Sequence, residues 1–156
     1  MDRHKPGMAG NRRTTMSIQS TGPQDLKRFL ALKAPDREHF LFEKWFFEAI
    51  AARRPDWMPA MRALAAAYTQ LGYYHDGLRL DRLICAALPE EPGARYDLAC
   101  SFALTGDADS AIAALQEACR LGYTDRVHTA RDPDLASLHK DLRFIELLRA
   151  MTRPKR

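Results

Sequence analysis

The chain has 156 residues, of which 46% are apolar and 28% are charged, and this suits one globular domain with a sizeable core. The net charge of +4 lies at the ends, because residues 1–24 and 152–156 each carry +3 and residues 25–151 carry −2. This distribution argues against a nucleic-acid interface on the folded part.

No run of about 18 apolar residues is present, so we expect no membrane span. Three cysteines without a CxxC pair indicate a reducing compartment, and we expect a cytoplasmic protein.

The first two segments differ in apolar content. Residues 1–24 combine Gly, Pro, Ser, Thr and basic side chains, and we expect a flexible basic tail because they bury too little surface to offset their ordering entropy. A short amphipathic helix is predicted within residues 25–33. A break at Ala34-Pro35-Asp36 precedes a second helix, which ends at Arg53-Arg54-Pro55.

Aromatic side chains are concentrated around this second helix. We predict a core where it meets the next helix, formed by Trp45, Phe46, Phe47 and Trp57. Phe40 and Phe42 lie on different faces of the helix, and an apolar patch remains if the helix 25–33 does not cover one of them. An uncovered apolar patch would support homodimerisation or partner docking through these N-terminal helices.

Residues 57–124 are predicted to form further helices with clear end signals. Apolar residues spaced three and four apart indicate helices, and Asp56 and Asp107 are predicted N-caps. Helix ends are predicted at Gly72, near Pro89, at Gly106 and at Gly122. No segment has the alternating pattern of a strand.

A 34-residue repeat runs through this region. The segment Tyr68-Thr-Gln-Leu-Gly72 recurs as Phe102-Ala-Leu-Thr-Gly106, and Cys85 and Cys119 are also 34 residues apart. A helix–turn–helix unit of this period is typical of tetratricopeptide repeats. The chain therefore resembles the tetratricopeptide-repeat family.

The resemblance extends to individual motif positions. The Leu, small, aromatic and Pro positions correspond to Leu64, Ala65, Tyr68 and Pro89 in one repeat, and Leu98, Ala99, Phe102, Ala111 and Leu115 fill such places in the next. It implies close helix approach at Ala65 against Gly77 and at Ala99 against Ala111. Three residues depart from the pattern: Asp81 stands where a large apolar residue is usual, Arg95 replaces an aromatic residue, and Tyr123 replaces the closing Pro.

The resemblance also implies the domain organisation. Residues 125–151 resemble the terminal segment of short bacterial proteins of this family, with two short helices that cap the last repeat. The implied fold is all-α, a tetratricopeptide-like α-solenoid of antiparallel helix pairs with a C-terminal helical cap. Its units would be a degenerate repeat at 25–55, full repeats at 57–90 and 91–124, the cap at 125–151 and a basic tail at 152–156.

Members of this family commonly bind peptides on the concave surface formed by the first helices of the repeats. Arg62 and Tyr96 suit an interaction hot spot there, and the other reading is that the groove residues are ordinary exposed side chains. Asp97 would repel a carboxylate, so we predict no clamp for a chaperone's C-terminus. The implied partner-binding groove consists of Arg62, Ala66, Thr69, Gln70, Tyr96, Asp97, Cys100 and Ala103.

Catalytic and cofactor motifs are absent from the sequence. The five histidines are scattered, no HExxH or GxSxG motif is present, and the role that the sequence assigns to Asp132 is that of an N-cap. We therefore predict a protein-interaction module, an adaptor or assembly factor, with no catalytic residue, metal or cofactor. The alternatives are a secretion-type chaperone and a weak nucleic-acid binder that uses the basic tails.

Overall fold

A computed structural model describes residues 22–151 of the chain, and these residues form helices joined by short turns, without a strand. The prediction of an all-α fold is confirmed for this part. The tails predicted at 1–24 and 152–156 lie outside the described residues except for Gly22, Pro23 and Gln24. The helices are α1 (Leu26–Ala31), α2 (Ala34–Arg53), α3 (Met58–Gln70), α4 (Tyr74–Ala87), α5 (Pro92–Leu104), α6 (Ala108–Arg120), α7 (Arg126–Arg131), a 3₁₀ helix (Pro133–Leu138) and α8 (Leu142–Ala150).

The middle four helices keep the 34-residue spacing. α3 and α5 have 13 residues each and begin 34 positions apart, and α4 begins 34 positions before α6. Glycines end α3 and α5 as predicted, with φ of +77° at Gly72 and +85° at Gly106. In both turns the two residues after the C-cap donate backbone hydrogen bonds to the last helical turn, which is the Schellman arrangement. Glycine is favoured there because it reaches positive φ without a Cβ clash.

Consecutive helices pack against one another from α2 to α6, and α5 also contacts the 3₁₀ helix. Small residues allow this close packing, since Ala60, Ala99, Ala111 and Ala118 are completely buried. The core has two parts. One lies among α2, α3, α4 and α5, and the other lies among α5, α6, the 3₁₀ helix and α8.

The C-terminal segment covers the α5–α6 pair with apolar side chains. Its fully buried residues include Leu135, Leu138 and Phe144. Aspartates cap its helices, because Asp125, Asp132 and Asp141 each accept a backbone N–H from the first turn that follows. The N-cap prediction for Asp132 is confirmed, as is that for Asp107, which accepts the N–H of Ser110. The segment has a 3₁₀ helix between its two short α-helices, where only two helices were expected.

The predicted N-cap at Asp56 is wrong. α3 begins at Met58, Trp57 holds the N-cap position without a side-chain hydrogen bond, and Pro59 lies in the first turn. The carboxylate of Asp56 instead accepts from the Arg54 guanidinium at 3.1 and 3.2 Å. This local ion pair uses the Asp56 oxygens, and the helix starts one residue too late for them to reach its first free N–H groups.

The predicted aromatic core between α2 and α3 is also wrong for most of its members. Trp45 is 65% exposed, Trp57 is 45% exposed and Phe46 is 42% exposed, and Phe47 alone of the four packs against the core. The reason is that α2 turns Phe47 and Ala51 toward α3, while Trp45 and Phe46 point to a side that stays exposed.

Phe42, Trp45 and Phe46 therefore form an exposed aromatic face, with the Phe42 ring 6.0 Å from Trp45 and 5.9 Å from Phe46. Homodimerisation through this face stays a prediction.

Within residues 22–151, no helix is both long enough and apolar enough to cross a bilayer.

Candidate functional site

A pocket of about 230 Å³ opens between α3, α5 and the segment that joins α7 to the 3₁₀ helix. α3 presents one face to it, because positions 62, 66, 69 and 70 follow the helical spacing of three and four. α4 packs against both α3 and α5 and contributes one carboxylate, Asp81. The lining residues are Arg62, Ala65, Ala66, Thr69, Gln70, Asp81, Tyr96, Asp97, Cys100, Ser101, His128, Asp132 and Asp134.

Seven of the eight groove residues expected from the sequence line this pocket. The exception is Ala103, which is buried and whose carbonyl accepts the Ser137 hydroxyl at 3.3 Å. The 3₁₀ helix packs over α5 at that point, so Ala103 belongs to the core. Arg131 is exposed at the end of α7 and does not line the pocket.

Arg62 stands at one end of the pocket between two carboxylates. Its guanidinium forms an ion pair with Glu91, and its Nη1 lies 3.3 Å from Asp97 Oδ2. Loss of solvent raises the pKa of Asp97, which Arg62 opposes. About half of the Asp97 side chain stays exposed, so we expect water to keep this pKa shift small. The Arg62 cation is thus largely neutralised by the protein itself.

Tyr96 is a buried wall of the pocket. It is only 5% exposed, its ring stacks on Tyr123 with centroids 4.4 Å apart, and its hydroxyl donates to Asp132 Oδ2 at 2.7 Å. Burial and the neighbouring carboxylate raise the pKa of Tyr96, which keeps the hydroxyl protonated as a donor. Tyr96 therefore joins α5 to Tyr123 and Asp132 and forms part of the pocket wall.

Asp132 connects more groups than its role as an N-cap requires. Its Oδ1 accepts the backbone N–H of Asp134 at 2.9 Å, and its Oδ2 lies 3.5 Å from His128 Nε2. The Cys100 thiol approaches the same Oδ2 at 3.7 Å. The sequence signals the cap but not these partners, because Tyr96 and Cys100 are more than 30 positions away.

Asp81 is a buried carboxyl group in the pocket wall. It is 5% exposed, and the Ser101 hydroxyl donates to its Oδ2. Burial raises the pKa of Asp81 to about 7, although the Ser101 hydrogen bond lowers it. Sequence reasoning did not include Asp81 among the groove residues. The signal that could have found it was its departure from the repeat pattern, where a large apolar residue is usual.

α1 reaches the edge of the pocket from the other side. Arg28 Nη1 lies 2.9 Å from Asp134 Oδ1 and 3.4 Å from the Tyr74 hydroxyl, which in turn donates to Asp25 Oδ2 at 3.1 Å. The backbone N–H groups of Gln24 and Asp25 donate to the carbonyl of Gly72. The N-terminal segment thus joins the α3–α4 turn to the 3₁₀ helix beside the pocket.

The chemistry of the pocket is that of a binding site with an excess of carboxylates. Of the described residues, four aspartates line it against one arginine and one histidine. Burial and nearby carboxylates raise the pKa of the Cys100 thiol, the opposite of what a nucleophilic cysteine needs. Among residues 22–151, no group of three or more His, Cys, Asp or Glu side chains is placed to hold a metal ion.

The fold and the pocket define an all-helical protein with an acidic cleft between repeated helix pairs. No family model matches the chain, and no solved structure matches it. A curated relative is a chloroplastic protein of Arabidopsis thaliana, which is 29% identical over 85 residues. That similarity covers 53% of this chain and 25% of the relative, so the chain matches only about a quarter of that protein's length.

Proposed function

We propose that this chain is a tetratricopeptide-type repeat protein that binds a segment of another protein in the pocket, as an adaptor or assembly factor. One observation carries the proposal: α3 and α5, the first helices of the two 34-residue units, line the same pocket. Such units place their first helices side by side and leave a cleft along them.

The helix contacts support the repeat assignment. An added Cβ at Gly77 would lie 3.5 Å from Thr69 Oγ1 and 3.8 Å from the Ala65 carbonyl oxygen, so α4 approaches α3 closely at this position. The equivalent position of the next unit is Ala111, which is completely buried. Small residues at the same point of both helix pairs are what a repeated close crossing requires.

The size and lining of the pocket favour part of a polypeptide as the ligand. Its volume of about 230 Å³ is below the roughly 300–1,000 Å³ of typical small-molecule sites. A cleft of this size accommodates one or two side chains of an extended segment. The excess of carboxylates disfavours the phosphates of nucleic acids, and the buried, protonated Cys100 and Tyr96 favour binding over catalysis.

A blocking substitution tests the proposal without removing a structural contact. Ala66 lies in the pocket wall and is exposed, so Ala66→Tyr should fill the cleft while α3 stays folded. Ala113 on α6 is exposed outside the pocket, and Ala113→Tyr is the matched control. We expect affinity capture from the native lysate, read by mass spectrometry, to lose a protein with Ala66→Tyr and retain it with Ala113→Tyr. Equal capture by both variants would move the binding surface elsewhere, first to the aromatic face of α2.

A further inference from the structure

The carboxylates of the pocket differ in how their charge is compensated. At one end Arg62 contacts Asp97, and at the other Arg28 contacts Asp134. Asp132, between them, accepts hydrogen bonds from the Tyr96 hydroxyl and from a backbone N–H. Asp81 forms no ion pair with another residue of the described range.

Asp81 accepts one hydrogen bond, from Ser101 to Oδ2, and within residues 22–151 no group donates to its Oδ1. The side chain is nevertheless more than nine-tenths buried and lines the pocket. Oδ1 is not fully enclosed by the protein, and Asp81 lines the pocket, so we infer that Oδ1 is reached from the cleft. A buried carboxylate is stabilised when a cation and its hydrogen bonds reach it.

The walls that lead to Asp81 suit a long side chain with a charged end. Ala65, Ala66 and Tyr96 line the pocket with few polar atoms, and Thr69 and Gln70 provide polar groups along α3. Lysine and arginine place an aliphatic stem against apolar surface and keep the charged group where it finds hydrogen-bond acceptors. Asp97, opposite Arg62, adds a second acceptor near the same cleft.

We propose that the pocket receives a basic side chain, lysine or arginine, from the partner segment, with the Asp81 and Asp97 carboxylates as its counter-ions. This inference rests on the proposed function and gives the chemistry of the bound segment. A segment centred on an acidic residue or a phosphorylated residue is excluded from the pocket by the same carboxylates.

Arrayed pools of random nine-residue peptides test the inference. Each pool has one fixed central residue (Lys, Arg, Leu, Ala or Glu), and binding of the labelled protein is read by fluorescence. The variants are Asp81→Asn, which keeps an acceptor for the Ser101 hydroxyl, and Ala66→Tyr, which fills the cleft. Asp36→Asn is the charge-matched control, because Asp36 is exposed on α2 outside the pocket.

We expect the Lys or Arg pools to bind the wild type and the Asp36→Asn variant roughly tenfold better than the Ala and Glu pools, the effect of one charge-assisted hydrogen bond. Asp81→Asn should remove that preference, and Ala66→Tyr should remove binding altogether. The ratio between the Lys and Arg pools then tells which cation the pocket prefers. If Asp81→Asn does not fold, as judged by circular dichroism, Asp97→Asn gives the same comparison at the pocket mouth.

The contrary outcomes separate this inference from the proposed function. Leu, Ala or Glu pools that bind best, and lose binding with Ala66→Tyr, would overturn the basic-residue inference and leave the peptide-binding function in place. Basic pools that bind equally to Ala66→Tyr would place their site outside the pocket and overturn the inference. No binding by any pool would count against both.

Discussion

The two 34-residue units, 57–90 and 91–124, have the same helix starts and the same glycine turn, yet one equivalent position carries opposite chemistry. Asp81 of α4 and Leu115 of α6 are 34 residues apart, and both are almost fully buried. Leu115 packs with Leu135, Leu138 and Phe144 of the C-terminal segment. Asp81 faces the pocket between α3 and α5. The same backbone position therefore holds an apolar or an ionisable residue according to what lies over it.

This difference divides the molecule into a sealed unit and an open one. The C-terminal segment fills the space beside α6 with apolar side chains, which completes a core. Beside α4 the corresponding space keeps Ser101, Asp97 and Arg62 around a cleft. An ionisable residue placed at Leu115 should therefore impair folding, whereas an apolar residue placed at Asp81 should leave folding intact and impair binding.

The largest effect is expected for Leu115→Asp. A carboxylate at this position would be buried among apolar side chains without a donor, and we expect a loss of about 4 kcal/mol or more in the free energy of unfolding. Urea denaturation followed by circular dichroism measures it, with Leu115→Ala as the control for lost volume, expected to cost about 2–5 kcal/mol. A loss of unfolding free energy for Leu115→Asp no greater than for Leu115→Ala would mean that this position is as open as Asp81.

The reciprocal substitution, Asp81→Leu, should fold and lose the preference for basic peptides.

The next effect is the pH dependence that Asp81 confers on stability. Burial raises the pKa of Asp81 from 3.8 to about 7, with Asp97 raising it further and both Ser101 and Arg62 lowering it. Between these values the folded chain holds a proton that the unfolded chain has released, so this group lowers stability as the pH rises through that window. The loss of stability is complete above the pKa that Asp81 has in the folded chain, and it is absent below the pKa that Asp81 has in the unfolded chain.

Asp81→Asn removes this titration and tests its size. We expect the difference in unfolding free energy between variant and wild type to shift in favour of the variant by about 2–4 kcal/mol from about pH 4 to pH 8. Urea titrations at several pH values measure it, with Asp36→Asn as the control. A difference that does not vary with pH would show that Asp81 has an ordinary pKa and is better solvated than its burial indicates.

The two turn glycines allow a smaller comparison. Gly72 and Gly106 both have positive φ, but an added Cβ at Gly72 would lie 2.7 Å from the Asp25 carbonyl oxygen, whereas at Gly106 it would meet no atom of residues 22–151 within 4 Å. We expect Gly106→Ala to cost about 1 kcal/mol for the backbone conformation alone. Gly72→Ala should cost about 1 kcal/mol more, because residues 24 and 25 must also move away. Thermal and urea unfolding measure both. Equal costs would mean that the N-terminal segment is only loosely held at this turn.

Local chemistry explains which features the sequence could predict. The glycine turns at Gly72 and Gly106 and the cap at Asp107 depend on the residue's own backbone preference or on hydrogen bonds within one helical turn. The aromatic core at Trp45 and Phe46 failed because the pattern marks an apolar helix surface but not whether another element covers it.

For the candidate site, the sequence likewise predicted the helix faces but not the contacts between distant residues. Helical spacing and the family resemblance placed Arg62 and Tyr96 on helix faces that line one pocket. The pairing of Ser101 with Asp81, 20 positions apart, and of Tyr96 with Asp132, 36 positions apart, depends on how α4 and the 3₁₀ helix pack around α5. No local pattern carries that information.

The smallest expected effect, and the only one that should stabilise the chain at every pH, is that of Gly77→Ala. Gly77 lies in the interior of α4 with helical φ, and an added Cβ would meet neighbours at 3.5–3.8 Å, which is ordinary van der Waals distance. Alanine in a helix interior is favoured over glycine by roughly 0.5–1 kcal/mol, mainly because the unfolded chain loses less freedom on folding. We expect a gain of about that size, measured by urea unfolding beside Gly72→Ala, where the same added methyl group should destabilise. A loss of stability would mean that the crossing of α3 and α4 is tighter than that of α5 and α6, which accommodates Ala111 at the equivalent position. The repeats would then differ in helix spacing as well as in the residue that faces the pocket.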